Sequence, residues 1–406
     1  MSSLDVRTRT TSDLHKVDTV IFFGQELPEL IAQRAALAVP GARELNLEPF
    51  TVATPSGSWT LALAGDTITI SPGEDGVAMV RLEDDEVAKM IDDRLTPMTL
   101  VSSARLRMDR GQLGDFLSWW VVLRSLIDDR PVFTQGSIDF RGSDGEPLDV
   151  KRSFSPDDAD EEMAQFLAQT GFLHLSGWFE PGEMVAISRD MDAAFPHYTP
   201  DDDRSWWAET STGEHRAVRL QRFEEFSPTA TRLLEDERLL RIGKLTGDDY
   251  VPRRSVEALE KPIGVIKGIS DLIWHKDCSL GMHSYMCSGI TVGISVTAAD
   301  ASSGQLAVVP GTHRALVQPA FYRPLWGLTI RDLPTRIGDL TVHCSCTLHM
   351  SHPPVTSERR VLYTGFALAA REGAPVQDSM ELRKVREAAY KNVSQPPSPV
   401  VAGTTN

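Results

Sequence analysis

Apolar and polar positions alternate with period two in three successive stretches of the N-terminal third: Trp59-Thr60-Leu61-Ala62-Leu63, Thr67-Ile68-Thr69-Ile70 and Ala78-Met79-Val80-Arg81-Leu82. Successive side chains of an extended chain point to opposite faces, so this alternation predicts half-buried antiparallel strands. The short apolar run Val20-Ile21-Phe22-Phe23 reads as another strand. A helix opens next, with Pro28 in its first turn, where a missing N–H costs no hydrogen bond. Further on, the pattern predicts a helix over 84–93, a strand over 104–108, and an apolar helix over 113–127 carrying Trp119 and Trp120. Residues 141–158 are rich in Gly, Asp, Pro and Ser and read as a linker.

Beyond the linker, residues 161–172 read as a helix running into a strand. Val265-Ile266-Lys267-Gly268-Ile269, a core strand over 290–296, and a strand over 308–313 that enters a turn follow. A last helix is expected over 380–390, and the Pro-rich stretch 394–399 is expected to lack packed structure. The resulting division is a flexible 1–17, an α+β domain over 18–140, the linker, a mainly β domain over 159–371, and a C-terminal helix and tail over 372–406.

Composition narrows the function. A chain of 406 residues with 41% hydrophobic and 24% charged positions is an ordinary globular protein with room for two domains. A net charge of −16 argues against nucleic acid and against an anionic membrane surface, though not against a neutral lipid substrate. No run of about 18 apolar residues suggests stable membrane insertion, and the first residues lack a signal-peptide core. Four cysteines without a secreted-type framework point to the cytoplasm.

The chemistry concentrates in three side chains: His275 and Asp277 in Trp274-His275-Lys276-Asp277, and His349 in Thr347-Leu348-His349-Met350-Ser351. Two imidazoles and one carboxylate on one face of a metal are the donor set of a non-haem Fe(II) site, with open positions for a co-substrate and O2. In an extended strand, His275 and Asp277 would point the same way and clamp one ion. Downstream, Pro353-Pro354 marks a turn, and Arg360-Val361-Leu362-Tyr363-Thr364-Gly365-Phe366 reads as the returning strand. A guanidinium there could fork onto a carboxylate beside the metal. Adjacent residues face opposite ways, so only one of Arg359 and Arg360 can do so, and Arg360 is the expected one.

These motifs, in this order, resemble the phytanoyl-CoA dioxygenase group of Fe(II)/2-oxoglutarate oxygenases over residues 158–370. The likeness takes in the segment from Glu161 to Phe172, His275-Lys276-Asp277, the block from Gly304 to Arg314, and the segment from His349 to Arg360. It implies a double-stranded β-helix, a jelly-roll of two packed sheets with helices outside. By the same likeness His275, Asp277 and His349 bind iron, while Arg360 and Ser351 hold the far carboxylate of 2-oxoglutarate. The implied reaction is hydroxylation of an unactivated carbon, with oxidative decarboxylation of 2-oxoglutarate to succinate. Lys276 stands where the family commonly has Gln and is expected to reach solvent. Gly293 stands where many members have Trp, which should widen the pocket. Retention of Asp277 argues against halogenation.

Residues 40–130 resemble the sterol-carrier-protein fold, on Trp59-Thr60-Leu61, the strand and helix from Val80 to Ile91, and the Leu95-Thr96-Pro97, Leu106-Arg107-Met108 and Gly111 stretch. That family carries lipids, which implies a hydrophobic small-molecule substrate of acyl, terpenoid or steroid type. A structural or dimerising appendage is the other reading of this region, and a homodimer is compatible with the chain. The whole-chain alternative is a lipid carrier with an inactive oxygenase-like domain.

Other conspicuous residues have plainer readings. Lys267 could offer its charge to 2-oxoglutarate or face solvent. Cys344 and Cys346 beside His343 and His349 suggest zinc, but a single C-x-C pair is a poor signature. Cys278 and Cys287 read as small core residues, and His313 as structural. His283 and His352 could touch substrate, and Trp206 and Trp207, in an acidic, loop-like insertion over 201–213, read equally as a lid over an apolar substrate or as a packing patch.

Overall fold

The structure, a computed structural model, describes residues 16–369 and 372, except 201, 203, 249, 269–271, 281–288 and 318–327. His283, Cys287, the helix expected over 380–390 and the Pro-rich tail lie outside the described residues.

The N-terminal unit is α+β, as its pattern predicts. Val20 and Ile21 are not a strand: Asp18 caps α1 (Thr19–Ile21) by accepting their backbone N–H groups, and a π-turn (Phe22–Glu26) carries the chain into α2 (Leu27–Glu44). A short apolar run looks the same in a buried strand and a buried helix, and here the cap decides. The strands are β1 (Phe50–Thr54), β2 (Gly57–Ala64), β3 (Thr67–Pro72), β4 (Ala78–Arg81) and β5 (Arg107–Arg110), in the order β3-β2-β1-β4-β5. β1 escaped the pattern because all five of its residues are buried, which removes the alternation. Between β4 and β5 lie α3 (Asp84–Ile91) and α4 (Pro97–Ser102), and α5 (Leu113–Asp128) follows and packs on α2. Trp119, Phe50, Leu61 and Leu27 form the centre of this core.

The second unit begins with α6 (Asp160–Thr170), β6 (Phe172–Leu175) and α7 (Pro181–Ala194). The insertion expected to be loop-like instead carries a hairpin, β7 (Ser205–Thr210) and β8 (His215–Leu220), so Trp206 and Trp207 are strand residues, and Trp207 packs against the core. Then come α8 (Pro228–Leu234), α9 (Glu237–Lys244), β9 (Tyr250–Pro252), β10 (Glu257–Lys261), β11 (Val265–Lys267) and β12 (Leu272–His275). The remaining strands are β13 (Gly289–Ser295), β14 (Leu306–Val308), β15 (Arg331–Leu333), β16 (Leu340–Cys344), β17 (His349–Ser351) and β18 (Arg359–Leu368).

They form two sheets. The larger runs β11-β7-β8-β10-β18-β13-β16-β6, with β9 on the far end of β18, and the smaller runs β12-β17-β14-β15. Interleaving of distant strands in both sheets is jelly-roll topology. Alternation sorts the larger sheet's side chains: Ile290, Val292, Ile294, Val342, Leu362 and Phe366 join Phe166, Ile187 and Met191 of the helices in one apolar core. Thr291, Gly293, Ser295, Thr341 and His343 occupy the alternate positions, and so do Arg359 and Tyr363.

The two units touch. The stretch after α5 pairs with a loop of the jelly-roll: Phe133 donates its N–H to the Leu316 carbonyl (2.7 Å), and Leu316 donates to that of Pro131 (2.9 Å). No helix of the described residues is long and apolar enough to cross a membrane.

Candidate active site

Pairing between β12 and β17 sets His275 opposite His349, with ring centroids 4.1 Å apart. Asp277 lies just past the strand end, in a short 3-10 turn (Asp277–Leu280), rather than in the extended segment its spacing suggested. Its Oδ1 is 3.5 Å from Nε2 of both histidines. One donor atom from each of the three residues falls within 4.8 Å of the other two.

Local backbone sets the tautomers. Nδ1 of His275 is 2.7 Å from the Ile273 carbonyl, and Nδ1 of His349 is 2.8 Å from that of Thr347. A carbonyl can only accept, so Nδ1 carries the proton and each Nε2 lone pair faces the shared gap. Burial, helped by the neighbouring His275 and His343, holds His349 well below the ordinary histidine range, in the neutral form a metal requires. Burial opposes charge on Asp277, but the surrounding imidazoles of His349, His275 and His343 outweigh it and hold the carboxyl well below its usual value. Burial also pulls His275 down, but the adjacent Asp277 carboxylate outweighs this and leaves its pKa raised. An ionised carboxylate between imidazole lone pairs is a fitting cradle for a divalent cation.

Lys276 does not reach solvent. It is 1% exposed and donates to the Thr312 carbonyl (2.9 Å), because its neighbours His275 and Asp277 take the other side. Thr312 Oγ1 accepts the N–H of Leu348 (2.8 Å) and donates to the Val309 carbonyl (2.7 Å). The Pro310-Gly311-Thr312-His313 turn therefore braces the segments that carry His275 and His349 from behind.

A second pole lies two residues along β17, about 7 Å from His349 by strand rise. Here the β10–β18 register separates two cross-strand pairs: Glu260 opposite Arg360, and Lys261 opposite Arg359. Arg360 is turned away from the site. Its Nε and Nη2 bind Glu260 (3.1 and 2.9 Å), Nη2 also reaches Asp192 (2.7 Å), and Nη1 donates to Ser188. The expectation for Arg360 is thus corrected: strand parity left two arginines to choose between, and Arg359 is the inward one.

Arg359 is 1% exposed. Its Nη1 donates to the Gly304 carbonyl (2.6 Å), and among the described residues its Nε has no hydrogen-bond partner and no carboxylate reaches it. Lys261, also buried, donates to Ser351 Oγ (2.6 Å) and to the His352 carbonyl (2.9 Å), while Ser351 donates to Gly304 (3.2 Å). Gly304 has φ +85°, which favours glycine, and this turn aims its carbonyl at both neighbours. Lys267 is exposed on the sheet's outermost strand, so Lys261 is the lysine at this pole. Gly293 opens no extra room: a Cβ there would lie 2.9 Å from Cε1 of Tyr363, whose ring fills the space.

Among the remaining candidates, His313 is structural: its Nε2 donates to the Ala168 carbonyl (2.9 Å), and burial pushes its pKa down to about 4. His352 sits 3.4 Å from Asp332. Cys344 lies against the apolar core, and it, Cys278 and Cys346 lie outside the group formed by His275, Asp277 and His349. Sequence reasoning missed Lys261 and Thr291, chose Arg360 over Arg359, and weighed His343 only as a neighbour of the two cysteines. Thr291 donates to Asp277 Oδ2 (3.0 Å), and His343 Nε2 lies 3.4 Å from the same oxygen.

Both poles fall inside one family match. Residues 167–362 match the phytanoyl-CoA dioxygenase (PhyH) family. The match leaves out the N-terminal unit. No curated protein matches the chain significantly. Solved structures similar to it include the epimerase SnoN in complex with Fe3+, alpha ketoglutarate and nogalamycin RO (19% identity, 52% of this chain and 84% of that one, TM-score 0.43). EctD from S. alaskensis with bound Fe is similar at 18% identity, over 54% and 82% of the two chains, with a TM-score of 0.42. The carbocyclase SnoK from nogalamycin biosynthesis is 18% identical, over 57% and 93%, with a TM-score of 0.40.

Proposed function

We propose that this chain is an Fe(II)/2-oxoglutarate-dependent oxygenase acting on a small organic molecule. The observation that carries the reading is Arg359, buried beside Ser351 with no carboxylate of the described residues in reach. A buried guanidinium in that state needs a counter-charge. A bound carboxylate supplies one, and it would sit a short dicarboxylate's length from the three metal donors. The PhyH match supports the same reading.

His275, Asp277 and His349 would hold Fe(II), and Arg359, Lys261 and Ser351 the distal carboxylate of 2-oxoglutarate. When bound, the iron and co-substrate supply O2 activation coupled to oxidative decarboxylation, with succinate as co-product. The chain's own residues do the rest. Backbone carbonyls fix the histidine tautomers, the Thr312 turn keeps the metal-binding segments in place, and the walls around His349 and Arg359 exclude water. Hydroxylation of an unactivated carbon is the outcome we propose. An apolar substrate body is supported by Trp206 and Tyr363, which lie on the same face of the sheet as Arg359; Arg219 stacks 4.2 Å over Trp206.

The experiment compares two neighbouring arginines. Arg359→Ala should weaken 2-oxoglutarate binding by about 10–150-fold, the loss of a charged hydrogen bond worth about 1.5–3 kcal/mol, and leave Fe(II) affinity intact. Arg360→Ala should leave co-substrate binding unchanged. The reverse ranking would sink the assignment.

A further inference from the structure

The two oxygens of Asp277 face different neighbours. Oδ1 points at the histidine pair, 3.5 Å from Nε2 of both His275 and His349. Oδ2 points the other way, where Thr291 Oγ1 donates to it at 3.0 Å and His343 Nε2 lies 3.4 Å from it. Thr291 and His343 are directly opposite each other on β13 and β16, so one cross-strand pair backs the carboxylate. His343 is 1% exposed, and neither of its ring nitrogens has a well-formed hydrogen bond among the described residues. A buried imidazole in that state costs free energy unless a nearby group takes up its N–H, and Asp277 Oδ2 is the polar atom it faces.

We propose that Thr291 and His343 are positioning residues that reserve Oδ2 and so make Asp277 a one-oxygen ligand. A carboxylate binding through both oxygens would use a coordination position that the co-substrate or O2 needs. By occupying Oδ2 from behind, the pair turns Oδ1 toward the metal and keeps that position open. The inference rests on the metal-site reading above, and it concerns only how the carboxylate is held.

The test uses Co(II) as probe on the full-length protein, with affinity and the visible d–d spectrum as readouts and the metal-free melting temperature as a folding control. Wild type should bind one Co(II); failure to bind would overturn both the metal site and this proposal. Thr291→Val keeps the shape and removes the hydroxyl. It and His343→Gln should each weaken Co(II) binding about 10–100-fold, the usual loss when an outer partner of a metal ligand is removed. Both should change the d–d spectrum, and Thr291→Ser should restore it. Wild-type affinity and spectrum in Thr291→Val would overturn the proposal. So would complete loss of metal in His343→Gln with Thr291→Val unaffected, since His343 would then be a ligand itself. Should His343→Gln fail to fold, the Thr291→Val and Thr291→Ser pair decides alone.

Discussion

At the scale of single residues, the site is built from side chains whose neighbours leave them one role. The imidazoles of His275 and His349 each donate Nδ1–H to a backbone carbonyl, and Asp277 stays ionised between them. Lys276 shows how far this extends. Placed between two ligands, it turns inward and ties the strand end to Thr312. Lys276→Ala would leave the Thr312 carbonyl without that donor and open a cavity. We expect a loss of about 2–4 kcal/mol in unfolding free energy, measured by urea titration, together with weaker metal binding. A stability change within ~0.5 kcal/mol would mean that the contact contributes little.

At the scale of elements, the loop around Gly304 leads from the larger sheet to the smaller at the second pole, and the Thr312 turn braces the first. His313 in that turn gives the unit a pH dependence with a definite sign. Its pKa is near 4 when folded, against about 6.5 unfolded, so the unfolded chain binds more protons between those values. Stability from this group is full above pH 6.5 and is lost as pH falls toward 4. Melting temperatures taken across that window should fall with acidification, and His313→Gln should flatten the slope; an unchanged slope would remove His313 as its source. Element structure also decided what could be read in advance. His275, Asp277 and His349 were legible because their residue types and order carry metal chemistry without needing the fold, whereas Ser351 entered only through the family resemblance. The choice between Arg359 and Arg360 was not, because parity along β18 means nothing until the register with β10 is known. Lys261 pairs with Arg359, Thr291 with His343 and Gly365, and His343 also with Phe172, all far apart in the chain, and one sequence holds no sign of those pairings. Val20 to Phe23 misled for a different reason, since four apolar residues fit a capped helix as well as a strand.

At the scale of the whole molecule, the N-terminal unit bears on the site through packing. Phe133, just beyond α5, packs into a small apolar cluster with Trp274, Val309 and Leu348. Trp274 precedes His275 and Leu348 precedes His349, so the cluster lies directly behind both histidines. This contact supports a buttressing role for the first unit. Phe133→Ala should cost about 1–3 kcal/mol and lower Fe(II) affinity measurably, although it touches no donor atom. Unaltered metal binding would confine the first unit to a role apart from the site.

The most direct measurement is an anaerobic titration of the full chain with Fe(II) and then 2-oxoglutarate, followed by visible absorption. The two-pole account predicts a weak metal-to-ligand charge-transfer band on addition of the keto acid. That band should vanish in Asp277→Ala, and in Arg359→Ala it should require far more 2-oxoglutarate. Absence of a band, with no iron retained by the wild-type chain, would contradict the account at its centre.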